Sequence, residues 1–122
     1  MITEENIQKI INFLNRYKKE KRSIEIVVSN DIGCVNLFFY DGDYKIKYHS
    51  CLNELIISHL EEEQNRRTDL IDIDFNNMVD CNLVENIIGN NSKDFVLKLI
   101  DKKGRISIEI TSIIVITSII EM

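Results

Sequence analysis

The amino-acid sequence predicts an α+β fold: a mainly antiparallel sheet of about six to seven strands, an N-terminal helix and two further short helices. Three observations predict it. Residues 4–20 carry Ile7, Ile10, Ile11, Leu14 and Tyr17 at helical spacing. Residues 24–48 and 95–110 alternate apolar and polar side chains with a period of two, as half-buried strands do. The chain has 122 residues, 44% of them apolar, which suits a single domain over residues 1–122 with a core of its own.

The first helix has charged ends of the right sign. Thr3 is placed to cap it, and Glu4 and Glu5 follow where the helix dipole favours anions. Lys18, Lys19, Lys21 and Arg22 crowd the other end. A meander of three strands comes next. Ile24, Ile26 and Val28 form one inward row, Val35, Leu37 and Phe39 a second, and Tyr44, Ile46 and Tyr48 a third. Asn30-Asp31-Ile32-Gly33 and Asp41-Gly42 supply the turns, the latter being the strongest hairpin signal in the chain.

Ser50 is placed to cap a second helix, whose apolar face would be Leu52, Leu55, Ile56 and Leu60. Residues 65–69 read as loop and residues 70–75 as a strand, with Asp72 and Asp74 outward. Residues 80–88 read as a third helix that Gly89 would terminate. Phe95, Leu97 and Leu99 begin another strand, Asp101-Lys102-Lys103-Gly104 turns, and Ile106, Ile108 and Ile110 return. Thr111-Ser112 would turn again into a last strand over residues 113–120, apolar on both faces and therefore central or covered.

Composition narrows the function classes. Fifteen Lys and Arg against twenty Asp and Glu give a net charge of −5, which argues against nucleic acid as a direct partner. Twenty-three Ile and thirteen Asn, with no Ala, Pro or Trp, fit an AT-rich gene of bacterial, phage or mobile-element origin. Cys34, Cys51 and Cys81 are odd in number and form no CxxC pair, so reduced thiols and a cytoplasmic location are expected. No stretch reads as a signal peptide or as a membrane-spanning helix.

No motif carries a reaction. His49, Cys51, His59 and Cys81 lack metal-ligand spacing, so no metal and no cofactor is expected. Cys51 beside His49 at the start of the second helix is the nearest approach to a nucleophile and base, and defines the alternative of a small Cys/His enzyme. Glycine-rich phosphate loops and EF-hand loops are absent.

Charge distribution is more informative. Residues 1–22 carry six basic and three acidic groups, whereas residues 61–85 carry eight acidic and two basic. Glu61, Glu62, Glu63, Asp69, Asp72, Asp74, Asp80 and Glu85 are that acidic stretch, and either keep the surface soluble or hold a basic partner. Tyr40 and Tyr44 add amphipathic aromatics of the kind interfaces favour, although Tyr44 and Tyr48 equally suit core positions with the hydroxyl at the rim.

In length, acidity, α+β pattern and lack of active-site motif, the chain resembles the immunity proteins of bacterial polymorphic-toxin and contact-dependent inhibition systems. That resemblance implies one-to-one binding to a basic toxin, most naturally a nuclease domain, with the acidic residues and Tyr40 and Tyr44 at the interface. It implies no catalysis, no cofactor, no direct nucleic-acid contact and no membrane. A phage-encoded inhibitor of a host nuclease, such as an anti-CRISPR protein, is the alternative within the same physics. An oligomerising module using the Ile-rich C-terminal stretch is a further one.

Overall fold

The computed structural model describes residues 2–59, 71–88 and 92–113. It is α+β, with one N-terminal helix, α1 (Glu4–Lys19), and eight strands among the described residues. The strands are β1 (Ser23–Ser29), β2 (Cys34–Phe39), β3 (Tyr44–His49), β4 (Glu54–His59), β5 (Ile71–Asp74), β6 (Met78–Ile88), β7 (Ser92–Asp101) and β8 (Ile106–Ile113). They form two sheets, a five-stranded one in the order β2-β1-β8-β7-β6 and a three-stranded one in the order β3-β4-β5. Every pairing is antiparallel.

Helix α1 forms where its spacing and caps predict. The Thr3 hydroxyl accepts the Asn6 N–H at 3.2 Å, and Ile2 and Ile7 are both buried across that cap, as a hydrophobic staple requires. At the other end Arg22 N donates to Tyr17 O and Lys21 N to Lys18 O, each at 3.0 Å. Lys21 holds φ at 59°, so a lysine occupies the left-handed position that glycine usually fills in this cap. Ile7, Ile10, Leu14 and Tyr17 are buried, each side chain contributing roughly 2 kcal/mol of apolar burial. They belong to one core shared with Ile24, Ile26 and Leu97 of the larger sheet and Leu55, Ile57 and Ile73 of the smaller.

The predicted meander is corrected at its corner. β1 and β2 form a hairpin, but β3 leaves for the second sheet and pairs with β4 instead. Asp41 and Gly42 do turn with positive φ, at 56° and 73°, as their composition predicts. The turn joins two sheets because it docks on α1: Gly42 N donates to Arg22 O at 3.1 Å, and a Cβ on Gly42 would lie 2.6 Å from Lys18 O.

Two predicted helices are strands. Residues 54–59 are β4, with Leu55 and Ile57 buried and Ile56 on the outer face. The helical spacing of Leu52, Leu55 and Ile56 is shared by a strand carrying one extra apolar residue, and paired β-branched Ile favours the strand. Asn53, at φ 55°, turns the chain where Ser50 would have capped a helix. Residues 80–88 lie within β6, whose Val, Asn, Cys and Ile are weak helix formers. Residues 111 and 112 do not turn; β8 runs through them, and the Ser112 hydroxyl accepts the Phe95 N–H at 3.1 Å. The predicted strand over residues 70–75 is β5, ended by a single 3-10 turn (Phe75–Asn77). The stop at Gly89 and residues 114–120 of the predicted last strand lie outside the described residues, but β8, which leads into the latter, is the central strand of its sheet.

Gly42→Ala is expected to destabilise the fold by about 3 kcal/mol, combining left-handed strain with a backbone collision, measured by urea unfolding.

Candidate partner-binding face

One face of the five-stranded sheet packs on α1 and the smaller sheet. The other is open among the described residues, and cross-strand register fixes what it carries. One row runs Phe38, Glu25, Thr111, Val96, Val84; the next runs Asn36, Val27, Glu109, Lys98, Asn82. Asp80 extends this face on β6. Among the described side chains the face therefore holds three carboxylates, Glu25, Glu109 and Asp80, and one ammonium, Lys98. Lys98 lies directly across from Glu109 in the register, and the Asn36 amide donates to Glu25 at 3.2 Å. Phe38 and Tyr40 stack nearly parallel at its β2 edge, with ring centroids 6.3 Å apart, and both are exposed.

The residues singled out in the sequence divide over different surfaces. Asp80 and Tyr40 lie on this open side. Asp72 and Asp74 lie on the outer face of the smaller sheet, in rows with Lys47 and His49 respectively. Asp74 also serves the fold, accepting from Asn76 N and the Asn77 amide at 3.0 Å each. Glu85 faces α1. It pairs with Arg16 and accepts the Tyr17 hydroxyl at 2.8 Å. Glu61, Glu62, Glu63 and Asp69 lie outside the described residues.

Tyr44 belongs to the core. Its ring is fully buried against Phe39, 6.0 Å between centroids, and its hydroxyl is buried without a hydrogen-bond partner among the described residues. Burial alone pushes its phenol well above the ordinary tyrosine value. Tyr48 reaches the rim, where its hydroxyl donates to Asn53 at 2.7 Å.

Glu25 and Glu109 went unnoticed in the sequence because each is a single acid inside an alternating strand. Their parity was the available signal: both lie on the polar side of their strands, and only the pairing of β1 with β8 makes them neighbours in space.

The Cys51 and His49 pair loses its physical basis. Cys51 sits exposed in the turn joining β3 and β4, and no helix N-terminus follows to favour a thiolate. All three cysteines are free, Cys34 and Cys51 exposed and Cys81 half-buried. Burial and neighbouring Asp80 push the Cys81 thiol up. Among the described residues no group of three or more His, Cys, Asp or Glu side chains is arranged to hold a metal ion. No helix among them is long and apolar enough to cross a membrane.

Comparison with known proteins adds little. No protein-family model matches the sequence, and no curated protein matches it. Among solved structures, one titled "Crystal structure of ChuX" aligns with a TM-score of 0.48 at 12% identity, over 85% of this chain. The chain spans 57% of the length of that structure. A likeness of that depth carries no functional argument.

Two tyrosines give tests of the scaffold beneath the face. Burial, the hydrogen bond to Glu85 and the charge of that carboxylate push Tyr17 up to about 12, against the opposing pull of Arg22 and Arg16. The folded state thus holds this proton more tightly than the unfolded chain does. The stability gained is complete below pH 10 and falls as pH rises through about 12. Tyr17→Phe should cost about 2 kcal/mol at pH 7 and flatten the loss of stability between those two pH values, in denaturant titrations at each pH. Tyr44→Phe should raise stability by about 1 kcal/mol, since it removes an unpaired buried hydroxyl, read from the same titrations.

Proposed function

We propose that the chain is a non-catalytic binding protein that blocks a basic protein partner one-to-one, in the manner of an immunity protein against a toxic nuclease. The observation that carries this reading is the open face of the five-stranded sheet. Among the described side chains, three carboxylates there face one ammonium, beside an exposed stacked aromatic pair. Such a surface steers a cationic partner through its field and anchors it through the aromatics. Asp80 and Tyr40 are the members of the sequence-predicted set that serve it, and Glu25, Glu109 and Phe38 join them.

The remaining acids widen the field. Asp72 and Asp74 add negative charge on the smaller sheet, and the net charge of −5 repels nucleic acid while attracting a nuclease that binds it. Free thiols, two of them exposed, support a reducing compartment such as the bacterial cytoplasm. No cofactor enters this function.

The test begins with capture from lysate of the source cells at moderate salt. Association of the purified captured protein is then compared between wild type and the triple variant Glu25→Lys, Glu109→Lys, Asp80→Lys. A basic partner is expected, with association slowed at least about tenfold in low salt and the difference shrinking as salt rises. An acidic partner, or an unchanged rate at every salt concentration, would overturn the proposal.

A further inference from the structure

The outer edge of β2, unpaired among the described residues, has a backbone that neither the open face nor the core explains. Among the described residues β2 is an end strand, bonded to β1 along one side only, in unbroken register over six residue pairs. Proteins normally protect such an edge with a lysine, a proline, a bulge or a covering element. Residues 34–39 read Cys-Val-Asn-Leu-Phe-Phe, without charge, proline or bulge. Four large side chains on this hairpin stand in solvent: Ile32 is 97% exposed, Val35 60%, Tyr40 54% and Phe38 43%.

Backbone phase shows what the edge offers. Asn30 N donates to Gly33 O at 2.9 Å, so Gly33 belongs to a hydrogen-bonded pair with β1. Pairs alternate along an antiparallel ladder. Val35, Leu37 and Phe39 therefore turn their N–H and C=O groups toward β1. Cys34, Asn36 and Phe38 turn theirs to the free edge.

We propose that this edge pairs with β2 of a second copy, antiparallel about a two-fold axis at Asn36, joining two five-stranded sheets into one of ten strands. This register sets Asn36 opposite itself and Cys34 opposite the partner's Phe38. All three residues have outward-facing backbone groups, so the two strands exchange six hydrogen bonds. An axis between two residues would set inward-facing groups against the edge and lose the ladder, and one at Leu37 keeps the phase but leaves only four such bonds between the strand residues. On the inner side Val35 meets the partner's Leu37. Beyond the strand the Ile32 tip reaches toward the partner's Tyr40. The four exposed apolar residues all gain cover from this one register, so the dimer competes with the basic partner for Phe38 and Tyr40.

Charge does not oppose it. The strand itself is neutral. Asp31, which approaches the partner's Asp41, is already paired with Arg105 and with Lys103, the latter at 3.5 Å. The cover that this one two-fold register gives Ile32, Val35, Phe38 and Tyr40 favours a second copy over an unrelated extended segment. Two six-residue strands bury less than the roughly 1,200 Å² of a stable complex, so the dimer should dissociate in the micromolar range.

The test is sedimentation equilibrium of the full chain from about 1 to 500 µM, paired with amide exchange by NMR. The expected result is a monomer–dimer equilibrium in which the Cys34, Asn36 and Phe38 amides exchange slowly at high concentration and faster on dilution. Asn36→Pro removes an outward N–H while leaving the β1 ladder intact, and Val35→Lys puts a charge on the exposed inner edge. Each should weaken the dimer roughly tenfold or more with unchanged circular dichroism. If Asn36→Pro fails to fold, Val35→Lys decides alone. A monomer throughout overturns the proposal. So does a dimer in which those three amides exchange freely, and so does protection of the same amides in the monomer.

Discussion

The close approach of Gly42 to the last turn of α1 is the constraint on which the two-sheet architecture depends. There the chain leaves one sheet for the other, and both sheets meet the helix. A residue with a side chain would place its Cβ 2.6 Å from Lys18 O, and the φ of 73° already excludes most L-residues. The Gly42 N–H completes the junction by donating to Arg22 O just past the helix cap. The Ser23 hydroxyl accepts the Asp41 N–H at 3.0 Å on the adjoining strand. With the corner fixed, Phe39 at the end of the first sheet packs on Tyr44 and His59 of the second, the His59 ring 4.5 Å away. One helix then buries its apolar side against both sheets, which frees the far face of the larger one for a partner.

The core beneath that face is stiffened by aromatic and ionic contacts. Phe13, Tyr17 and Phe95 form a triangle with ring centroids 4.6 Å apart on every side. Arg16 and Arg22 lie over the Tyr17 ring, and Glu85 takes the Tyr17 hydroxyl. This clamps the helix to β6 and β7 at one end. At the other end of the smaller sheet, Asn53 and Asn76 bond to each other at 3.2 Å and tie the β3–β4 turn to the 3-10 turn. Held this way, the open face presents its carboxylates in a fixed array, and binding need not order them first.

Much of this was legible in the sequence, and the failures share one cause. The helix, its caps and the alternating rows of β1, β2, β3, β7 and β8 follow from local periodicity, and local physics decides them. β4 and β6 do not. Leu55-Ile56-Ile57 satisfies both a helical and an extended pattern over so short a span, and the choice falls to the strands on either side. Asp41-Gly42 announced the turn but not its destination, because whether the next strand stays or leaves depends on what Gly42 touches. The acidic residues show the same dependence on long-range pairing. Residues 61–85 are acidic as a run, yet Asp72, Asp80 and Glu85 point to three different surroundings, while Glu25 and Glu109, 84 positions apart in the numbering, become neighbours through one pair of strands.

In the proposed complex the open face of the larger sheet, and not the contiguous acidic run, meets the partner. Carbodiimide footprinting of carboxylates, read by mass spectrometry with and without the captured partner, tests it directly. Strong protection of Glu25, Glu109 and Asp80 is expected, with Asp72 and Asp74 labelled as before. Protection of Asp72, Asp74 or Glu61 to Glu63, with Glu25 and Glu109 unchanged, would contradict it.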